Sequence, residues 1–309
     1  MKELWVEKYR PKTLKEYVVR DEAQRGQIQT WINDKAIPHL LLSGAPGVGK
    51  TTLAKVLFAE LDVSSYDILE INASRENSVD TVRDKINSFV QIMPFGAYKY
   101  VLLDEADYMS PNGQAALRGV MEMYHTSARF ILTCNYPNRV IPALHSRCQG
   151  FHMETIDKTE FTARVAEILI AEKTEQDIET LDTYVKASYP DLRKCINMIQ
   201  QNVRDGKLMP PASGDSGQQD YRLQMVELFK AGKINDARKL VCSQARPEEC
   251  EEIYRWLYDN LEIISKDEDS QDKAVLIIKQ GLVDHSFVAD PEINLASVMI
   301  KLARLSNGQ

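Results

Sequence analysis

Long apolar runs are missing from this chain. Although 44% of its 309 residues are hydrophobic, none of the runs approaches the roughly 20 residues that a membrane-crossing helix needs. The opening residues, Met1 to Lys8, hold no apolar stretch followed by a small-residue cleavage site, so no secretory signal is legible. Cysteine is scarce as well. Cys134, Cys148, Cys195, Cys242 and Cys250 are odd in number and scattered, with no CxxC pair. That spacing indicates neither a disulfide framework nor a zinc site and leaves ordinary buried thiols. A basic excess is lacking too. The net charge of −7 argues against a surface coated in nucleic acid, while a local basic patch could still grip phosphates. With 27% charged residues the composition is that of a folded soluble chain, and these absences together point to the cytoplasm.

What is present in the first half is an alternation of short apolar runs with helical patterns. Leu40-Leu41-Leu42, Ile68-Leu69-Glu70-Ile71, Tyr100-Val101-Leu102-Leu103 and Phe130-Ile131-Leu132-Thr133 read as strands. Brief strands separated by helices predict a parallel sheet covered on both faces. Val79, Val82, Ile86, Phe89 and Val90 recur at helical spacing, as do Leu117, Val120, Met121 and Tyr124. Ser110-Pro111 supplies a cap and a first-turn proline for the second helix. After about residue 153 the strand signal stops. Phe161, Val165, Ile168 and Leu169 mark one helix; Leu192, Cys195, Ile196 and Ile199 mark another. Residues 210–219 are small and polar and read as a linker. The rest is helical, with Ile253, Trp256, Leu257, Leu261 and Ile264 on one apolar stripe. The expected organisation is an α/β domain over residues 1–153, a small helical domain over 154–209, the linker, and a helical domain over 220–309.

Two motifs carry chemistry. Gly44-Ala45-Pro46-Gly47-Val48-Gly49-Lys50-Thr51 fits GxxxxGK[ST], after a strand and before a helix. Its glycines let backbone N–H groups turn inward around phosphates, and the helix N-terminus adds its positive end. Lys50 is suited to the outer phosphates and the Thr51 hydroxyl to Mg²⁺. In the second motif, Val101-Leu102-Leu103-Asp104-Glu105-Ala106-Asp107, a buried strand ends in two adjacent acids. Asp104 suits the magnesium position and Glu105 the polarisation of an attacking water. Together they read as an ATPase using ATP and Mg²⁺, without stating its purpose.

Further segments narrow the purpose. Glu7-Lys8-Tyr9-Arg10-Pro11 comes first, then Asn72-Ala73-Ser74, the Asp104 to Asp107 box, Asn135, Ser146-Arg147-Cys148 and Pro190-Asp191-Leu192-Arg193-Lys194. In this order they resemble AAA+ sliding-clamp loaders, namely replication factor C small subunits and the large clamp-loader subunit of T-even-type phages. The resemblance is close over about the first 205 residues; beyond them it extends to length and helical character. It implies an AAA+ parallel-sheet P-loop NTPase domain followed by a helical lid and a helical C-terminal collar that oligomerises. The implied activity is Mg-dependent ATP hydrolysis stimulated by clamp and DNA, in which ATP binding opens the clamp and hydrolysis releases it. The implied partners are a sliding clamp, primer–template DNA and further loader subunits in a pentameric ring or spiral. A phage chain would work in the host cytoplasm, near the nucleoid; the short length suits a phage or an archaeal source.

The resemblance also assigns residues. Asn135 is implied to orient the lytic water, Arg147 to reach the γ-phosphate held by a neighbouring subunit, and Arg193 to touch phosphate within its own. Val6, Glu7, Lys8, Tyr9 and Val18 are implied to border adenine, with Gly47, Val48, Gly49, Lys50, Thr51 and Thr52 around the phosphates. Candidates for DNA phosphates are Arg75, Arg83, Lys85 and Arg118, helped by a helix N-terminus near Ser78. Arg83 and Lys85 flank the apolar stripe of their helix while Asp80, Asp84 and Asn87 hold its polar centre, so ordinary solvated charges are the competing reading. Ile92, Met93 and Phe95 fall in an expected loop that faces the clamp in the family; burial under the next strand competes with that. Gly119 stands where cellular relatives often carry a second arginine, which leaves Arg118 alone there. A helicase-type or replication-initiator AAA+ protein acting on DNA is the alternative function.

Overall fold

The computed structural model describes residues 3–75, 79–153, 156–210, 221–246, 249–265, 267–285 and 287–306, and the side chains of residues 79–82 fall outside that description. Ser78 and residues 211–219 of the expected linker also lie outside the described residues. The chain divides into two compact units, residues 1–164 with 190–193, and residues 165–189 with 194–309.

The first unit is built on five parallel strands: β1 (Leu40–Gly44), β2 (Ile68–Asn72), β3 (Lys99–Asp104), β4 (Ala128–Cys134) and β5 (Gln149–Met153). Their order is β2-β3-β4-β1-β5. In register, Leu40 pairs with Ile131 on one side and Gln149 on the other, and Leu102 pairs with Ile131. Side chains alternate across a strand, and the burial follows. Leu40, Leu42, Leu102 and Ile131 enter one core with Ile28, Trp31, Leu53 and Leu57. Leu41, Val101, Leu103, Phe130 and Leu132 enter the other with Ile86, Val90, Leu117, Val120 and Met121. The helices that supply these residues are α2 (Glu22–Asn33) and α3 (Lys50–Glu60) for the first core, and α4 (Val79–Val90) and α5 (Pro111–Met123) for the second. Short helices α1 (Trp5–Lys8) and α6 (Pro142–His145) complete the unit. The doubly covered parallel sheet is therefore present. Ser110 caps α5 through the Gly113 N–H, with Pro111 in its first turn. In this unit the strand that the sequence does not signal is β5. It lies at the sheet edge and buries only Phe151 and Met153, too few apolar positions to signal a strand.

Helix α7 (Lys158–Ala171) leads into the second unit, which holds α8 (Ile178–Ser188), most of α9 (Leu192–Asn202), and a small antiparallel pair, β6 (Val203–Arg204) and β7 (Lys207–Leu208). This pair corrects the expectation that strands end near residue 153; strands two residues long carry too few positions to signal in sequence. It continues through α10 (Tyr221–Lys230), α11 (Ile234–Gln244), α12 (Cys250–Asp259), α13 (Leu261–Ile264), α14 (Glu268–His285) and α15 (Pro291–Ser306). Within this unit the Trp256 indole donates to the Lys186 carbonyl at 2.6 Å, and Phe229 packs against Trp256. Asp182 pairs with both Lys186 and Lys230 at 3.0 and 2.9 Å. Buried Asn294 donates to the Tyr254 hydroxyl and the Gly281 carbonyl, tying α15 to α12 and α14. No helix among the described residues is long and apolar enough to cross a membrane.

Candidate nucleotide site

In an open parallel sheet the ligand crevice lies at the carboxyl ends of the strands. Here β4 runs between β1 and β3, so its end stands between the glycine loop that follows β1 and the acids that end β3. Side chains from all three strand ends meet. Lys50, 8% exposed, donates from Nζ to the Gly44 and Ala45 carbonyls at 2.8 Å each and to Asn135 Oδ1 at 2.7 Å. Burial lowers its pKa to about 8 against the pull of Asp104 and Asp107, and the nearby Arg193 charge adds to the lowering. An ammonium so placed gains from any anion that replaces its carbonyl partners.

Asp104 Oδ1 accepts from the Thr51 hydroxyl at 2.7 Å and from the Thr133 hydroxyl at 2.6 Å. Thr133 in turn accepts the Glu105 N–H at 3.0 Å. Glu105 sits at φ 58°, an uncommon conformation for a residue with a Cβ and one that clusters at functional sites. The donor set at Thr51 and Asp104 is a hydroxyl beside a carboxylate, without sulfur or imidazole. That suits Mg²⁺, which binds through one or two carboxylates plus substrate phosphates. Groups of three or more His, Cys, Asp or Glu that could form a metal cage are absent among the described residues.

The loop needs its glycines. Gly47 has φ +78° and the Asp191 carboxylate lies where its side chain would be, while Gly49 has φ +93° with the Tyr17 hydroxyl packed over it. Tyr17 is buried and donates to the Gly49 carbonyl at 3.3 Å. Burial pushes its phenol pKa well up, so it stays a neutral donor.

The remaining sequence-read positions distribute unevenly. Gly47, Val48, Gly49, Thr51 and Thr52 form the loop and the first turn of α3. Arg193 is exposed but close enough to act on Lys50 electrostatically. Val6, Glu7, Lys8 and Tyr9 lie on or just after α1, where Glu7 pairs with Arg10 at 2.6 Å; Val18 is half-buried beside Tyr17. Arg147 hydrogen-bonds its own chain, at Ala143, Ser146 and Glu122. Arg75, Arg83, Lys85 and Arg118 are all exposed. Ile92, Met93 and Phe95 are 59%, 87% and 78% exposed, so they are not packed under β3. Their loop is anchored from below by buried Asp67, which accepts the Phe95 and Gly96 N–H groups and pairs with buried Lys99 at 2.8 Å. Burial raises the Asp67 pKa, but the Lys99 ammonium and the two N–H groups outweigh it and hold the carboxyl below its usual range.

Comparison with known proteins settles the class. Residues 40–155 match the ATPase family associated with various cellular activities (AAA), a span running from β1 to just past β5. The replication factor C small subunit of Staphylothermus marinus is 36% identical over 98% of this chain and 95% of its own. That of Methanococcus vannielii is 33% identical over 99% and 100%. This chain belongs to the replication factor C small-subunit family. As such it is an AAA+ ATPase of the clamp-loader type. Thermotoga maritima RuvB, a Holliday junction branch migration motor, superposes with a TM-score of 0.56 and 17% identity over 80% of each chain. That likeness is one of fold alone.

Three residues of this replication factor C-type site went unassigned in the sequence. Tyr17 carries no motif and is recognisable only by its place over Gly49. In sequence Thr133 reads as the last residue of a strand, and its hydroxyl takes on meaning because β4 lies beside β3. Asp107 is buried and accepts the Asn135 and Tyr136 N–H groups at 3.1 and 3.0 Å, fixing the turn that presents Asn135.

Proposed function

We propose that this chain binds and hydrolyses ATP within an oligomeric loader that opens a sliding clamp, grips primer–template DNA and releases the clamp upon hydrolysis. The observation that carries the reading is the junction at three strand ends, where Lys50, Thr51, Asp104, Glu105 and Asn135 converge. Phosphate oxygens replace the Gly44 and Ala45 carbonyls as acceptors for Lys50, and loop N–H groups complete the cradle. Thr51 and Asp104 hold Mg²⁺, which supplies neutralisation of phosphate charge. Asn135 then gives up its bond to Lys50 and orients the attacking water, with Glu105 accepting its proton. Arg193 steadies the phosphates from the same chain and Arg147 those of a neighbouring subunit. Val6, Glu7, Lys8, Tyr9 and Val18 border the adenine.

Exposed Ile92, Met93 and Phe95 form the clamp contact, their loop preorganised by Asp67 and Lys99. Arg75, Arg83, Lys85 and Arg118 meet DNA phosphates, contacts that position without reading sequence. The helical unit leaves Leu276, Phe287 and Ile293 exposed, apolar surface available to neighbouring subunits in a pentameric ring or spiral.

The test is ATP turnover by the assembled loader with clamp, with primer–template DNA, with both and with neither. A loader needs both for its full rate, whereas an equal response to DNA alone would favour a translocating motor. Glu105→Gln should keep ATP binding within about threefold and lower turnover by about 10²–10⁴, the range for loss of a general base. Normal turnover in that variant would remove Glu105 from the mechanism.

A further inference from the structure

Glu122, near the C-terminal end of α5, has one carboxylate oxygen shared by two arginines from different elements. Its Oε1 accepts from Arg118 Nε, one turn back on the same helix, at 3.2 Å. The same oxygen accepts from Arg147 Nη2, which follows α6. Arg147 Nη1 is spent on its own chain, donating to the Ala143 carbonyl at 2.8 Å and the Ser146 hydroxyl at 3.3 Å. Arg118 differs. Only its Nε is engaged among the described residues, so both Nη groups of its fork remain open to an anion. The three side chains are between 30% and 47% exposed, and exposed ion pairs of this kind stabilise a fold little. Two guanidiniums held around one carboxylate leave a net positive charge, and without that carboxylate their mutual repulsion would drive them apart.

We propose that Glu122 is a positioning residue: it holds Arg147 in its working orientation and ties that orientation to the occupancy of Arg118 by a nucleic-acid phosphate. This rests on the reading above of Arg147 as an arginine acting on a neighbour's nucleotide and of Arg118 as a phosphate contact. A phosphate on the two Nη groups of Arg118 fixes that side chain, its Nε then fixes the Glu122 carboxylate, and the fixed carboxylate orients Arg147. Backbone phosphates at one arginine thereby tighten the placement of the other.

The experiment compares Glu122→Gln, Arg118→Ala, the double variant and Arg147→Ala in the assembled loader, with assembly checked by sedimentation. Turnover is measured at saturating clamp and DNA over a range of ATP concentrations. Glu122→Gln keeps an oxygen acceptor and loses the charge. Its kcat should fall about tenfold with KM for ATP unchanged within twofold, and Arg118→Ala should do the same. The double variant should be no worse than either single one, because both break one chain of contacts. Independent roles would multiply to about a hundredfold, and that result overturns the coupling. If Arg147→Ala loses turnover while Glu122→Gln retains the normal kcat, the positioning role fails and the reading of Arg147 stands. If Arg147→Ala itself turns over normally, the reading of Arg147 fails and Glu122 loses its purpose with it.

Discussion

The sheet-based unit and the helical unit are stabilised in similar ways and do different things with their polar groups. In the helical unit, several buried polar groups close on one another, while Gln176 Oε1 and Asn260 Oδ1 find no partner among the described residues. Asn294 satisfies Tyr254 and Gly281, and Trp256 satisfies Lys186. In the sheet unit the polar groups at the strand ends are held in exchangeable pairs: Lys50 on carbonyls and on Asn135, Thr51 on Asp104. Each such pair is a placeholder that a phosphate or a cation can replace without leaving a buried group unsatisfied. The polar pairs named in the helical unit serve packing, and those at the strand ends serve binding.

This contrast can be broken by substitutions on either side. The largest effect expected is on binding. Lys50→Ala should weaken ATP affinity by about 100-fold or more, roughly 3 kcal/mol, since charge-assisted bonds to phosphate are lost. Its thermal midpoint should barely move, because removing a buried ammonium also removes its desolvation cost. Calorimetric titration and a melt on the same sample check both halves. A large loss of stability would mean that the Lys50 bonds hold the fold.

In the helical unit the expectation is reversed. Gly281 on α14 faces the Val298 side chain and lies near the Tyr254 ring, with no room for a Cβ. Gly281→Ala should destabilise by about 1–2 kcal/mol through overpacking while leaving ATP affinity untouched. Urea denaturation followed by helical circular dichroism measures it; an unchanged midpoint would show that α14 and α15 can slide apart at little cost. The smallest effect should come from Gly119 on α5, which has open space where a Cβ would stand. Gly119→Ala should stabilise by about 1 kcal/mol, the ordinary helix-interior difference. A destabilisation there would mean that α5 needs its glycine flexibility.

The sheet unit was legible because its chemistry is local. GxxxxGK[ST] requires residues adjacent in the chain, and a strand that ends in Asp104-Glu105 displays its acids in order. The cap at Ser110-Pro111 was equally readable, since a cap is set by its own few residues. β5 was not readable, because an edge strand needs only two buried side chains. The exposed state of Ile92, Met93 and Phe95 was undecided in sequence. An apolar triplet is compatible with burial, and what holds it outward is Asp67, 25 or more residues earlier in the chain.

The sequence by itself determined which groups could bind phosphate and metal, which buried runs are the central strands and which faces are apolar, because each depends on residue type and short-range spacing. Tertiary structure decided which of these groups meet. Running β4 between β1 and β3 put Asn135 on Lys50 and Thr133 on Asp104, pairs separated by 85 and 29 positions. Packing of α6 beside α5 placed Arg147 on Glu122, 25 positions away. Contacts of that kind follow from strand order and helix packing, which balance the burial of whole faces against chain entropy.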